Sequence, residues 1–301
     1  QELSTSKHAS LMGGTQIYLA ENEKMKVEDL FKSMVIASAN DAAVSLAEAV
    51  SGSEHYFVAA MNSEVAKLGL KNTNFANSTG LPTNNHYSSS YDMAMIARNL
   101  LLEHEEDIIP YTSTYESYVR EDTEKPFWLV NTNKLIKIVD GIDGLKTGWT
   151  ERAGYCITTT MKKDGMRLIS VVMGSDTVQH RTVDTLSLLN YGFSNYDIVV
   201  LKEKGERVVV ENDILVSPNE YHIITGARVT VVKDKTSKLD EVRYEVKLYK
   251  DRIRNLHRTN VGTMKVYVGD ELVKEMRLDL VEGPKKVSFF DLFFNVLGSI
   301  F

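Results

Sequence analysis

At 301 residues, with 43% hydrophobic and 25% charged side chains, the chain has the composition of a soluble globular protein, long enough for one large domain or two ordinary ones. A formal net charge of −6 argues against nucleic acid as a partner, and a single cysteine, Cys156, excludes an internal disulfide and most cysteine-based metal sites. The seven histidines show no paired ligand spacing, so neither a metal nor another cofactor is expected. The chain opens at Gln1 without an initiator methionine or an apolar leader, which reads as a processed or trimmed product.

Taken in order, residues 1–20 read as a polar lead followed by loop and a short strand around Gly13–Leu19. Helical periodicity then places Leu30, Phe31, Met34 and Val35 on one helix and Ala42, Ala43, Val44, Leu46, Ala47 and Val50 on a second. Ser38-Ala39-Asn40-Asp41 lies at their joint. These small polar residues suit a helix cap, and the same position offers Ser38 and Asn40 to a cleft. A further helix from about Ser53 to Leu68 ends at Gly69, and Ser89 or Ser90 caps another through Asp92, Ile96 and Leu100. Glu103 to Asp107 reads as a solvated acidic cluster in a helix end or loop. Tyr111 to Tyr118 and Phe127 to Val130 look strand-like or irregular. Asp143-Gly144-Leu145-Lys146-Thr147-Gly148-Trp149 starts a strand, and Gly154 to Thr160, rich in Thr, Tyr and Ile, is its hairpin partner. A strand over Met166 to Gly174 and a helix over His180 to Phe193 close an α/β or α+β domain spanning 1–196.

From 197 to 282 the texture changes to short β-type runs, from Ile198 to Leu201 through Leu272 to Leu280, with turns such as Lys204-Gly205 and Val268-Gly269-Asp270. This spacing predicts a small all-β domain without a catalytic constellation. Residues 283–301 differ again. After Lys285 and Lys286, the polar residues Ser288, Asp291, Asn295, Gly298 and Ser299 fall in one narrow helical stripe, and the remainder is apolar and aromatic. The run is shorter than the roughly 20 residues that span a bilayer, so an amphipathic helix in the membrane interface is expected, with both lysines near anionic headgroups.

Lys146 is the chemical centre of the strand. The backbone fixes its ammonium, Thr147 offers a hydroxyl, and Gly148 leaves room for a ligand to approach the chain. Ser38-x-Asn40 and Lys146-Thr147-Gly148 together form two of the three elements of the signature shared by penicillin-binding proteins and class A β-lactamases. With Gly13-Gly14-Thr15-Gln16, Leu68–Thr73, Asp92-Met93-Ala94 and Asn131–Leu135, they make the whole chain resemble the low-molecular-mass D-alanyl-D-alanine carboxypeptidases, serine peptidases of the DD-peptidase/β-lactamase-like fold. The β domain and terminal amphipathic helix resemble that family too.

The resemblance implies serine acyl transfer on the terminal D-Ala-D-Ala of peptidoglycan stem peptides, with β-lactam antibiotics as acylating ligands. Ser38 would relay a proton to the leaving amine and Asn40 would hold the substrate amide. Lys146 and Thr147 would take the substrate carboxylate, and the Trp149 N–H would serve the oxyanion hole. Arg181 stands as a further carboxylate-binding candidate, with a surface helix arginine as the equal alternative. The family also implies a location on the extracytoplasmic face of the bacterial cell membrane, peripherally anchored through residues 284–301.

One element departs from the pattern. Near the start, the Ser-x-x-Lys run is Ser4-Thr5-Ser6-Lys7, 34 positions before Ser38 and followed by Gly13-Gly14. In the family the nucleophile heads an apolar helix and lies roughly twice as far from the Ser-x-Asn motif. The nucleophile, its lysine and the first strands of the sheet are therefore expected to be absent from this chain, which alone would be inactive. Three readings compete: a carboxypeptidase whose N-terminal piece is lost or separately supplied, a non-catalytic peptidoglycan-binding scaffold, and a β-lactamase. The β domain and the missing Glu-x-x-x-Asn element count against the last.

Overall fold

Leu3 of strand β1 (Glu2–Ser4) meets Met25 of β2 (Lys24–Lys26) in an antiparallel pair, with the single turn α1 (Lys7–Ser10) between them. These are the first elements of a computed structural model that describes residues 1–298 apart from 214, 218, 219 and 284. The chain divides into two units, Gln1–Gly192 and Phe193–Phe301.

In the first unit the expected strand around Gly13–Leu19 is irregular backbone. The reason is a contact from a later helix: the N–H groups of Ile17 and Leu19 donate to the buried Asp41 carboxylate, at 3.2 and 3.0 Å, where a strand would offer them to a neighbour. The two predicted helices form as α2 (Val27–Ile36) and α3 (Asn40–Ser51), and α3 stops at Gly52 in the left-handed region (φ +80°). The joint corrects the capping expectation. Ala39 occupies the N-cap position with no side-chain cap bond, and Ser38 turns the chain at φ +64°. Helix α4 (Glu54–Lys67) is capped by Ser53 and α5 (Ser90–Thr112) by Ser89, whose hydroxyl accepts from Asp92 N at 3.1 Å. The acidic cluster lies inside α5, which kinks at His104, and Glu105 accepts from Lys162 at 2.7 Å and Arg167 at 3.1 Å.

Strands β3 (Glu116–Val119) and β4 (Phe127–Val130) form a hairpin, and the short α6 (Leu135–Ile138) leads into the principal sheet. That sheet is an antiparallel meander of β5 (Ile142–Thr150), β6 (Gly154–Lys163) and β7 (Met166–Ser175), closed by α7 (Val178–Asn195). The β5–β6 hairpin is as predicted, with Lys146 opposite Thr158. Three apolar clusters hold the unit together. Ile17, Leu30, Ile36, Ala42 and Leu129 fill one; Val35, Ala97, Leu101 and Leu145 tie α2 and α5 to β5; Ile142, Ile157, Val172 and Leu189 pack the sheet on α7. Each fully buried Val, Leu or Ile contributes roughly 1.5–3 kcal/mol, so the cluster that holds Val35, Ala97, Leu101 and Leu145 is a firm link between the helices and the strand that carries Lys146.

The second unit contains β8 (Tyr196–Lys202), β9 (Arg207–Asn212), β10 (Val216–Ser217), β11 (Glu220–Thr225), β12 (Val229–Asp234) and β13 (Val242–Leu248). It continues with α8 (Lys250–Arg254), β14 (Gly262–Val268), β15 (Glu271–Leu280), β16 (Lys285–Lys286) and α9 (Phe289–Gly298). Its main sheet is antiparallel in the order β13-β14-β15-β11-β9, over a core of Ile223, Ile253, Met264, Val266 and Leu278. The β character matches the sequence reading; α8 does not appear in it. A single five-residue helix carries no periodic signal, and Ile253, 0% exposed, pins it to the core. The terminal helix forms over 289–298, while residues 299–301 of the predicted segment lie outside the described residues.

Candidate active site

Lys146 is half-buried on β5 and donates from Nζ to the Thr147 carbonyl at 2.9 Å. Among the described residues no carboxylate lies within ion-pair distance of it. Removal from water without an opposite charge disfavours the ammonium, and burial pushes the lysine down to about 8. A cation held in this state gains on meeting an anion, which is the requirement of a carboxylate-binding group.

The Ser38-x-Asn40 turn is brought to this strand by Thr132. Its N–H donates to Ile36 O at the end of α2 (3.2 Å), and its Oγ1 accepts from Thr147 Oγ1 (2.7 Å). One residue thus joins the helix end two positions before Ser38 to the strand position after Lys146. Ser38 is half-buried, and among the described residues its hydroxyl has no hydrogen-bond partner. Asn40 differs from the expectation of a side chain offered to a cleft. It is buried, and its Nδ2 donates to Gly13 O at 2.7 Å, which leaves Oδ1 to accept and the second N–H to donate. Gly14, at φ +75°, makes that fit possible: a Cβ there would stand 2.7 Å from Asn40 Nδ2.

A second layer holds Thr132 and β5. Asn131 Nδ2 donates to the carbonyls of Thr112 and Thr114 at 3.1 and 2.9 Å, and its Oδ1 accepts from Asn133 N. Asn133 Nδ2 in turn donates to Gly144 O at 3.1 Å. Thr112 Oγ1 donates to Asp143 O at 2.6 Å, so a Cβ at Gly144 would collide with that hydroxyl at 2.7 Å. Arg167 clamps the Asp143 carboxylate with both terminal nitrogens, at 2.7 and 2.8 Å, a bidentate bond that fixes the start of the Lys146 strand.

At the far end of the motif Gly148 is exposed opposite Cys156, and Trp149 is 60% exposed with its indole tilted against Tyr155 at 6.0 Å between centroids. Arg181 is no surface arginine. It is 8% exposed in the first turns of α7, its Nε has no hydrogen-bond partner, and no acidic side chain pairs with it among the described residues. Burial lowers its pKa, and its guanidinium interacts electrostatically with Cys156 and Tyr155, the residues opposite Gly148 and Trp149. The structure therefore gathers Lys146, Thr147, Gly148, Trp149 and Arg181 along one end of the β5–β6 pair, with Ser38 linked through Thr132. A groove of about 450 Å³ between β7 and α7, lined by Met173, Asp176, His180 and Val183 among others, contains none of these residues.

Ser4 and Lys7 are both exposed; the serine ends β1 and the lysine starts a four-residue turn, with no hydrogen bond between them. Neither heads an apolar helix. Three structural residues escaped the sequence reading: Thr132 as the bridge, Asp41 as the anchor of the 13–19 loop, and Arg167 as the clamp. Only the Asn131-Thr132-Asn133 run carried a signal, as two amides flanking a hydroxyl without apolar periodicity.

Residues 1–177 match the family model described as D-alanyl-D-alanine carboxypeptidase. Over 299 residues the chain is 40% identical to the D-alanyl-D-alanine carboxypeptidase DacF of Bacillus subtilis, an alignment covering 99% of this chain and 76% of the relative. To the D-alanyl-D-alanine carboxypeptidase DacA of Haemophilus influenzae it is 33% identical over 238 residues, covering 77% of this chain and 58% of the relative. Penicillin binding protein 5 from Haemophilus influenzae superposes with a TM-score of 0.68 at 27% identity, covering 95% of this chain and 83% of that one. Penicillin-binding protein D2 from Listeria monocytogenes, in its ampicillin-bound form, gives 0.56 at 31% identity over 64% of this chain and 76% of that one. The fold is that of the penicillin-binding serine peptidases, and the chain belongs to the D-alanyl-D-alanine carboxypeptidase family.

Proposed function

We propose that the chain provides the substrate-binding side of a serine-type D-Ala-D-Ala carboxypeptidase, which removes the terminal D-alanine from peptidoglycan stem peptides and is acylated by β-lactams. The observation that carries this reading is the pair of cations at one end of β5–β6, Lys146 and Arg181, that have no acidic partner among the described residues. A peptide ending in a free carboxylate supplies the missing charge. Thr147 adds a hydroxyl held by Thr132, Gly148 admits the peptide backbone, and the Trp149 N–H is the proposed oxyanion donor. Attack by a serine oxygen on the penultimate D-Ala carbonyl forms the ester and breaks the amide; the unpaired hydroxyl of Ser38 passes a proton to the departing D-alanine amine. Water then cleaves the ester. The Asn40 Oδ1 accepts from the substrate amide.

The family's nucleophilic serine and lysine are not identified among these 301 residues, so acyl transfer requires a Ser-x-x-Lys element beyond them. Similarity to curated carboxypeptidases disfavours the scaffold and β-lactamase alternatives. No helix among the described residues is long and apolar enough to cross a membrane. Helix α9 exposes Phe289, Phe290, Phe293 and Val296 along one side, which supports interfacial attachment to the extracytoplasmic membrane face. Calorimetric titration with an acylated Lys-D-Ala-D-Ala peptide tests the carboxylate reading. Binding is expected for the free acid and lost for its C-terminal amide; equal binding of both would overturn it.

A further inference from the structure

The end of the second unit from which α9 departs exposes leucine and valine side chains beside cations that form no ion pair among the described residues. Leu215, Leu256 and Val281 are 48%, 38% and 42% exposed. Their segments are fastened together. Asp213 accepts from Leu215 N at 3.0 Å and from Arg254 Nε at 2.8 Å, joining the backbone of Leu215 to α8. Two residues past α8, Leu256 is held in the left-handed region at φ +65°, a conformation that a non-glycine residue rarely adopts, and its aliphatic side chain is left in solvent. Arg258 then donates from Nη2 to Val281 O at 2.7 Å, while Leu280 N donates to Arg258 O at 2.8 Å. Its Cδ lies 3.8 Å from the Cβ position of Gly283, and β16 closes the ring by pairing Lys286 with Val216 and Lys285 with Ser217.

The charges are uneven. Arg254 is spent on Asp213, Lys250 faces Glu211 at 3.6 Å, and Asp279 is held by Arg277 and Asn260 N. Arg258, Lys285 and Lys286 make no ion pair among the described residues, and the acidic group in their run is the exposed Glu282. Exposed apolar tips amid a net positive rim, continuous with a helix whose aromatic side faces outward, fit the headgroup layer of an anionic bilayer.

We infer that the folded β unit has its own membrane-contact surface, in which Leu256, Leu215 and Val281 enter the interface and Arg258, with Lys285 and Lys286, binds anionic phospholipid headgroups. This rests on the reading of α9 as a membrane-facing helix and adds to it a contact that α9 does not make. Arg258 is the new recognition residue. It would set the unit upright on the surface, where α9 alone leaves it tethered.

The test is vesicle sedimentation of the full chain on phosphatidylcholine, with and without a minority of phosphatidylglycerol, at low salt. Each cation near the surface is worth about fivefold, so the net of two positive charges gives a preference for anionic vesicles of about 25-fold. Arg258→Ser should lower binding to anionic vesicles about fivefold and leave phosphatidylcholine binding unchanged; Arg258→Lys should restore it. Leu256→Ser, on an exposed side chain, should weaken binding to both vesicles. The variant F289S/F290S/F293S should keep a weaker, salt-sensitive affinity for anionic vesicles alone. Wild-type affinity in both Arg258→Ser and Leu256→Ser, or loss of all anionic binding in the phenylalanine variant, overturns the inference and leaves the α9 reading standing. Unchanged binding by the phenylalanine variant overturns the α9 reading and supports the folded surface. Failure of the wild type to bind either vesicle overturns both.

Discussion

Replacing Lys146 by methionine isolates the cost of holding an ammonium without a counter-ion. Burial lowers this lysine from 10.5 to about 8, a difference that corresponds to about 3 kcal/mol against the charged folded state. The sign follows from proton binding. Below about pH 8 the lysine is protonated whether folded or unfolded, and the desolvation cost is fully present. Between about pH 8 and 10.5 the unfolded chain retains a proton that the folded one has released, so wild-type stability rises with pH across that window. Methionine removes the cost but also the bond from Nζ to Thr147 O, worth about 1 kcal/mol. The variant should therefore be more stable than wild type by about 2 kcal/mol at neutral pH and less stable by about 1 kcal/mol above the upper end of the window. Urea unfolding followed by tryptophan fluorescence measures this in the right unit, because both tryptophans, Trp128 and Trp149, lie in Gln1–Gly192. A methionine variant that is less stable at neutral pH, or a difference that does not change with pH, would refute the reasoning.

The two motif glycines should separate packing from access. Gly144→Ala places a Cβ 2.7 Å from Thr112 Oγ1 and should cost about 1–3 kcal/mol in the same unfolding assay. Gly148→Ala meets only Cys156 Cβ at 4.0 Å and should leave stability within about 0.5 kcal/mol, while a titration shows weakened peptide binding. Arg181→Gln should reduce affinity for the free-acid peptide by about 10- to 100-fold, the loss of one charge-assisted bond, with no effect on the amidated peptide. Flotation of the full chain with liposomes should persist at high salt, and deletion after Glu282 should abolish this salt-resistant binding. The phenylalanines exposed on α9 are each worth roughly 1.5–3 kcal/mol when buried, against about 1 kcal/mol per lysine.

The parts legible in the sequence are those with a local physical cause. Helices α2 to α5 announced themselves through apolar period, the Ser89 or Ser90 cap and the glycine at 69; the β5–β6 hairpin did so through β-branched and aromatic residues. Lys146-Thr147-Gly148 and Ser38-x-Asn40 were readable because spacing alone defines them. What stayed hidden depends on contacts far apart in the chain. Asp41 looked like a cap and serves instead as the acceptor for Ile17 and Leu19, which removes the expected strand. Asn40 turned inward because Gly13 O lies within 2.7 Å, and Arg181 proved buried because α7 packs that face against the sheet. Thr132 joins two motifs through one hydroxyl and one N–H, and no pattern in the chain encodes such a meeting.

The most direct test of the account is covalent labelling of the 301-residue chain with a fluorescent penicillin, with the site mapped by peptide mass. Ser4 is exposed at the end of a strand, and Ser38 sits in a turn joined to the Lys146 strand through Thr132, without a lysine three residues on, so no adduct should form. Joining an N-terminal segment that carries a family-type Ser-x-x-Lys element should create labelling, confined to the added serine and reduced about 100-fold by Lys146→Ala, the scale of one key transition-state contact. An adduct on Ser4 or Ser38 of the chain alone would contradict the account.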